Sequence, residues 1–356
     1  MSVHKLRNIL IGLLLAALLV GLWWAHTHVP FDWGNLRTQM RSVNWLLIAA
    51  GAAMIHLSLL LRAWRWRTLL GREANGASGA KLVGPQFVGF TTVALFGRVA
   101  DLARPYMIAR KTDTPVGTQL AVYSLERAFD LAAAAILFST TLIFVPKDMP
   151  HHHEFVRAGL AAMTLTLVIV VFALLVRFSG GALASMARGV FRVVSQEFAN
   201  GVAEKILDFR QGMTTVNSWG QMLGCLLWSL AVWGLIAAAY CVTARSFALT
   251  PELSHFTVSM TMLLLATSMG ASLLQLPVVG WFTQIAALAL ALHAFFAVPV
   301  EVASAAGALL LLVTTLCIVP AGLVAAKLEG VSLKAVAKTS EAAESSVLDG
   351  SSEPQP

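Results

Sequence analysis

The sequence predicts an all-α fold: a polytopic membrane helix bundle of about eight transmembrane helices with re-entrant segments. Three observations carry this reading. Hydrophobic residues make up 58% of the 356 positions and charged residues 12%, with a mean hydropathy of +0.75, which leaves too little charge to cover a soluble surface. Apolar runs recur close to the roughly 20 residues that a helix needs to cross about 30 Å of hydrocarbon. The lysines and arginines fall between those runs with a bias toward alternate loops.

Taken in order, the runs predict spans at Leu10 to His26, Trp45 to Leu61, Thr118 to Val145, Phe155 to Val176, Gln221 to Ala244, Val258 to Leu276, Gln284 to Val298 and Val302 to Ala326. The first follows His4, Lys5 and Arg7 in the manner of a signal peptide. The WWAHTHVP that comes after it lacks a small-residue cleavage site and carries an interfacial aromatic pair, so an uncleaved helix is expected. Leu82 to Phe96 is apolar but short and contains Gly84, Pro85 and Gly89, which fits a re-entrant segment. With that segment re-entrant, 19 Lys and Arg residues share the side of the amino terminus and 4 lie opposite. This asymmetry predicts both termini in the cytoplasm, and the inner membrane is the expected location. Trp23, Trp24, Trp33 and Trp45 then mark the outer interface. Trp64 and Trp66, alternating with Arg62, Arg65 and Arg67, mark the inner one.

Two cytoplasmic features follow. Phe191, Val194, Phe198, Val202, Ile206 and Phe209 recur at helical spacing opposite Arg188, Arg192, Gln196 and Lys205, predicting an amphipathic surface helix over about 185–212. Residues 1–338 form one membrane domain in this reading, and 339–356 a disordered cytoplasmic tail with few large apolar side chains. The formal charge of +7 is spread between apolar runs rather than gathered on a soluble face. Anionic lipid headgroups, not nucleic acid, are the expected partners.

Charge inside the bilayer is costly and usually functional. Arg98, Asp101 and Arg104 are three residues apart, so they share a helical face. Pro105 predicts that this helix ends near Arg104, leaving Arg104 and Arg110 free to fork onto a phosphate. Glu126, Arg127 and Asp130 lie about two turns into a span. There Arg127 is expected to be neutralised by Asp130, and Glu126 to pair with an arginine from the Arg98 to Arg110 segment. Pro277 and Gly280 break a long apolar region, with Gln275 and Gln284 as polar lining and a half-helix starting near Thr283.

Other chemistry is not supported. Cys225, Cys241 and Cys317 have no paired spacing and read as buried apolar residues. His151, His152 and His153 are consecutive and so poorly placed to converge on a metal. HExxH, GxSxG and GxxxxGK[ST] patterns are absent. No catalytic residue, metal or cofactor is therefore assigned, and any transport is expected to run downhill or on an ion gradient.

At these charged positions the chain resembles the flippase-like transmembrane family typified by the membrane region of bacterial lysylphosphatidylglycerol synthases. Arg98, Arg104 and Pro105 match an Arg-x-Gly-Glu-x-x-Arg-Pro signature in which Ala100 and Asp101 replace the glycine and glutamate. Glu126, Arg127 and Asp130 match a following Glu-Arg-x-x-Asp. Pro277 and Gly280 match a later break, where Gln284 stands in place of a common glutamate. The resemblance implies an eight-helix bundle with re-entrant segments that moves polar lipids between leaflets. These would be phospholipids, aminoacyl-phospholipids or lipid-linked precursors. The synthases' soluble aminoacyl-transfer domain has no counterpart here, so lipid synthesis is not expected. A headgroup-modifying intramembrane enzyme and a scaffold that docks a lipid-modifying enzyme are the competing readings, and self-association is left open.

Overall fold

The computed structural model describes residues 32–97, 100–145, 152–193, 195–214, 218–272 and 279–338. The span expected at Leu10 to His26 and the expected tail after 338 lie outside them. Among the described residues the architecture is all-helical.

A short α1 (Trp33–Ser42) is capped by Asp32, whose carboxylate accepts from the amides of Gly34 and Asn35. It leads into α2 (Trp45–Leu70), capped in the same way by Asn44. α2 therefore runs well past the expected end at Leu61. Arg62 and Arg65 are inside it, and of the two tryptophans in the Arg/Trp alternation Trp64 is exposed while Trp66 is not. Trp66 is fully buried and its indole donates to Gln119 Oε1 at 2.9 Å.

Next comes α3 (Val83–Phe96), whose 14 residues reach about 21 Å at 1.5 Å per residue, too short to cross. Gly97, at φ +81°, reverses the chain after it. α4 (Ala103–Thr112) then returns alongside. Here the sequence expectation is corrected, because the helix begins at Ala103 and Arg104 lies in its first turn rather than at its end. Pro105 occupies its first turn, where no amide needs an intrahelical partner.

α5 (Val116–Ile143) carries Glu126, Arg127 and Asp130 near its midpoint. α6 (His152–Phe191) is kinked at Ser179, and α7 (Gln196–Thr214) folds back on it. The continuous amphipathic helix expected at 185–212 is thus broken at Arg192. Among the described side chains of α7, Ala199 and Ala203 are buried, while Phe198 stays exposed and meets Phe191 edge to face.

α8 (Trp219–Arg245) packs along most of α2. Gly51 allows this close approach, since a Cβ there would fall 2.9 Å from Thr243 Oγ1. α9 (Val258–Ala271) and α10 (Val279–Phe296) are short apolar helices. α10 starts four residues before the expected Thr283, and Trp281 ties its first turn to the Ala94 carbonyl at 3.0 Å. α11 (Val300–Leu311) continues through a π-helical turn, Leu312–Leu316, into α12 (Ile318–Leu328). Among the described residues, three helical stretches are long and apolar enough to cross a membrane by length and composition: Trp45–Leu70, Trp219–Arg245 and Val300–Leu328. The main apolar core joins α2, α8, α9, α10 and α11 through side chains such as Leu59, Tyr240, Leu264, Leu292 and Leu310.

Candidate functional site

Ion pairs from three helices meet where α2, α4 and α5 converge. On α2, Arg62 and Arg65 are three residues apart and so face the same way. On α5, Glu126 and Asp130 are four apart and face them. Arg65 donates to Glu126 Oε1 and, through Nη1, to Asp130 Oδ1 at 2.5 Å and Ser229 Oγ at 2.7 Å. Arg62 Nη1 donates to Asp130 Oδ2 at 3.2 Å and lies 3.8 Å from Glu126 Oε1. From α4, Arg104 Nη1 donates to Glu126 Oε2 at 3.0 Å and reaches Gln86 Oε1 at 3.3 Å. From α8, the Trp233 indole donates to Asp130 Oδ1 at 3.0 Å.

Arg65, Arg104 and Glu126 have no solvent exposure, and Arg62 and Asp130 are nearly as deep. An unpaired charge in such a place would carry a desolvation penalty of several kcal/mol. Each carboxylate therefore takes more than one cationic partner. Aromatic rings complete the wall: the Arg104 guanidinium stands 4.6 Å from the centroid of Phe90, 5.4 Å from Trp66 and 5.5 Å from Tyr123, and Arg62 is 5.1 Å from Phe90. Asp101, at the edge, accepts from Tyr123 Oη at 2.5 Å and pairs with Arg104 at 3.4 Å.

Arg127 is different. Its side chain is 39% exposed, and its carboxylate contacts are long, 3.6 Å to Glu126 and 3.9 Å to Asp130. The expected neutralisation of Arg127 by Asp130 is therefore corrected, since Asp130 is held chiefly by Arg62 and Arg65. The network counts Arg62, Arg65, Arg104 and Arg127 against Asp101, Glu126 and Asp130, an excess of one positive charge. Several buried donors, Gln86 Nε2, Arg104 Nε and Arg127 Nη2 among them, have no hydrogen-bond partner.

Beside the network lies a cavity of about 260 Å³, bounded by α2, α3, α8, α9, α10 and the π-helical turn. Arg62, Phe90 and Trp233 belong to both the network and the cavity wall. At the far side Gln284 Nε2 donates to Ser268 Oγ at 3.0 Å, and Ser268 shares a 2.7 Å hydrogen bond with Tyr240 Oη. Thr314 and Thr315 come from the π-helical turn, an irregularity often found at functional positions.

The sequence-derived positions divide accordingly. Asp101, Arg104, Glu126, Arg127 and Asp130 are brought together, and Glu126 pairs with Arg104 from the Arg98 to Arg110 segment. The view of Arg104 as a free phosphate fork is corrected, because it is enclosed and committed to Glu126. Arg110 is exposed in the last turn of α4. Gln284 lines the cavity, and Gly280 is buried in the first turn of α10. Arg98, Gln275 and Pro277 lie outside the described residues. Sequence reasoning placed Arg62 and Arg65 at the inner interface rather than in the site and passed over Trp233, although the two arginines share a helical face just as the two carboxylates opposite do. Among the described residues no His, Cys, Asp or Glu group is arranged to hold a metal. The three cysteines are free thiols.

Helices of this length and hydropathy around a buried ion network define a polytopic helical membrane protein. The chain belongs to the family described as the lysylphosphatidylglycerol synthase TM region, whose model matches residues 9–322. No curated protein sequence and no solved structure shows significant similarity to it.

Proposed function

We propose that this protein moves polar or anionic lipids between the leaflets of the bacterial inner membrane, with both termini in the cytoplasm. The observation that carries the reading is the position of Arg62, which belongs at once to the buried ion network and to the wall of the cavity beside it. A phosphorylated headgroup crosses hydrocarbon at high cost. A cavity lined by hydroxyls and a guanidinium supplies hydrogen bonds at membrane depth while the acyl chains stay in lipid. The carboxylates are occupied in holding arginines, so they act as scaffolding for the positive charge rather than as bases. Family membership supports a lipid-related role.

Reconstitution of the full chain into liposomes carrying labelled phospholipids tests this. Protein-dependent exchange between leaflets, with lipid masses unchanged, is the expected result. Chemically altered lipid would instead show a headgroup-modifying enzyme. Neither exchange nor alteration would point to a scaffold for another lipid enzyme, and either outcome overturns the proposal.

A further inference from the structure

We infer that the helical arm built from the end of α6 and from α7, residues 180–193 and 195–214, is a wedge set into one leaflet of the bilayer. One broad face lies among acyl chains, and the opposite face looks to headgroups and water. The arm is separate from the Arg62 cavity, and its insertion does not depend on translocation.

Its packing is the reverse of a water-soluble hairpin. Among the described residues the buried side chains of the arm are all alanines, Ala184 and Ala187 on α6 and Ala199 and Ala203 on α7. Small residues let two helices approach closely, as they do in lipid. The large apolar side chains stay outside: Met186, Val190, Val193 and, from α7, Phe198 are each more than half exposed. Water drives such groups inward, whereas hydrocarbon has no such preference.

The exposed residues are also sorted by face. On α6, Met186 and Val190 lie about 100° to one side of the alanine stripe, and the exposed Ser185, Arg188 and Arg192 lie about 100° to the other. α7 repeats the order in the same rotational sense, with Phe198 and Val202 on the apolar side and the exposed Glu197, Asn200 and Glu204 on the polar side. Two antiparallel helices with the same sense of rotation bring both apolar stripes to one side of the pair and both polar stripes to the other. Phe191 and Phe198 close the tip with their ring centroids 5.4 Å apart.

The root of the arm says what covers the apolar side. There the exposed rings of Phe178 and Trp219 stand 5.8 Å apart. Trp219 opens α8, a helix of membrane-crossing length. Gln221, one turn in, donates to the Thr68 carbonyl at 2.6 Å, close to where α2, another such helix, ends. An exposed aromatic pair at this level is what a bilayer interface selects, so acyl chains lie alongside the arm from its first residues. Charge does not set the occupant, because these residues hold four Lys and Arg against three Asp and Glu. Burial of the apolar stripes drives insertion, rather than attraction to anionic headgroups.

The test uses the full chain with its three native cysteines replaced by alanine and one new cysteine at an exposed position: Val190→Cys, Phe198→Cys, Arg192→Cys or Glu204→Cys. Each carries an environment-sensitive fluorophore and is reconstituted into vesicles of phosphatidylcholine alone, which has no net charge. Brominated phosphatidylcholine should quench at least three-fold more strongly than aqueous iodide at positions 190 and 198, and at least three-fold less strongly at 192 and 204. Iodide dominating at all four positions would place the arm in water and overturn the proposal. Protection from both quenchers at 190 and 198 would overturn it too, since a second copy of the chain would then cover that face.

Discussion

Gly89 on α3 and Arg104 on α4 occupy one another's space: a Cβ built on Gly89 would fall 1.9 Å from Cγ of Arg104 and 2.9 Å from its Cδ. The missing side chain is what lets the arginine lie flat across α3 and reach Glu126. Arg104 is enclosed by Phe90, Trp66 and Tyr123, so it has no room to withdraw. Gly89→Ala should therefore destabilise the protein by about 1–3 kcal/mol, the usual cost of overpacking. Thermal unfolding in detergent measures this, and a variant as stable as the parent would show that the helices part freely.

Arg65 and Arg127 both approach Glu126, but only Arg65 is fully enclosed. Arg65→Ala strands two buried carboxylates and should cost about 3–5 kcal/mol. Arg127→Ala removes long, half-exposed contacts and should cost about 1 kcal/mol or less. Side-by-side denaturation curves test the order; equal losses would contradict the assignment of Arg65 as the central cation.

Trp233 donates to Asp130 while its ring forms part of the cavity wall. Trp233→Phe keeps most of the ring and removes the donor. A loss of about 1.5–3 kcal/mol is expected, as for hydrogen bonds to charged groups. If stability were unchanged, Arg62 and Arg65 alone would suffice to hold Asp130.

Lys111 at the end of α4 and Glu329 just beyond α12 form a partly exposed ion pair over Gly84. Lys111→Ala should change stability by no more than about 1 kcal/mol, and raising the salt concentration should erase the difference. A large, salt-independent effect would identify this pair as a structural lock.

The helical class of the molecule was legible because membrane helices must satisfy their own backbone and so leave long apolar runs. The brevity of α3 and the inward placement of Glu126 and Asp130 were legible for the same reason. Arg62 and Arg65 were read as interfacial rather than as part of the site, because a run of apolar residues ends at Leu61 and charge beyond it resembles an interfacial anchor. What keeps them inside α2 is tertiary: carboxylates on α5 supply a counter-charge that no local window contains. Pro105 misled in a related way, since a proline before which a helix usually stops is equally suited to its first turn. Gly89 read as a breaker, whereas its role is to make room for a side chain 15 positions later, a relationship visible only in three dimensions.

The most direct measurement of the central claim is the rate of phosphatidylglycerol exchange in proteoliposomes containing the parent chain, Arg62→Gln or Thr315→Trp. The first variant removes the charge where the network meets the cavity, and the second fills the cavity from the half-buried π-helical turn. Protein-dependent exchange that falls at least ten-fold in both variants, each still folded by circular dichroism, is the predicted result. Exchange at the parental rate in folded Arg62→Gln and Thr315→Trp would contradict it, because lipid would then cross without using the Arg62 cavity.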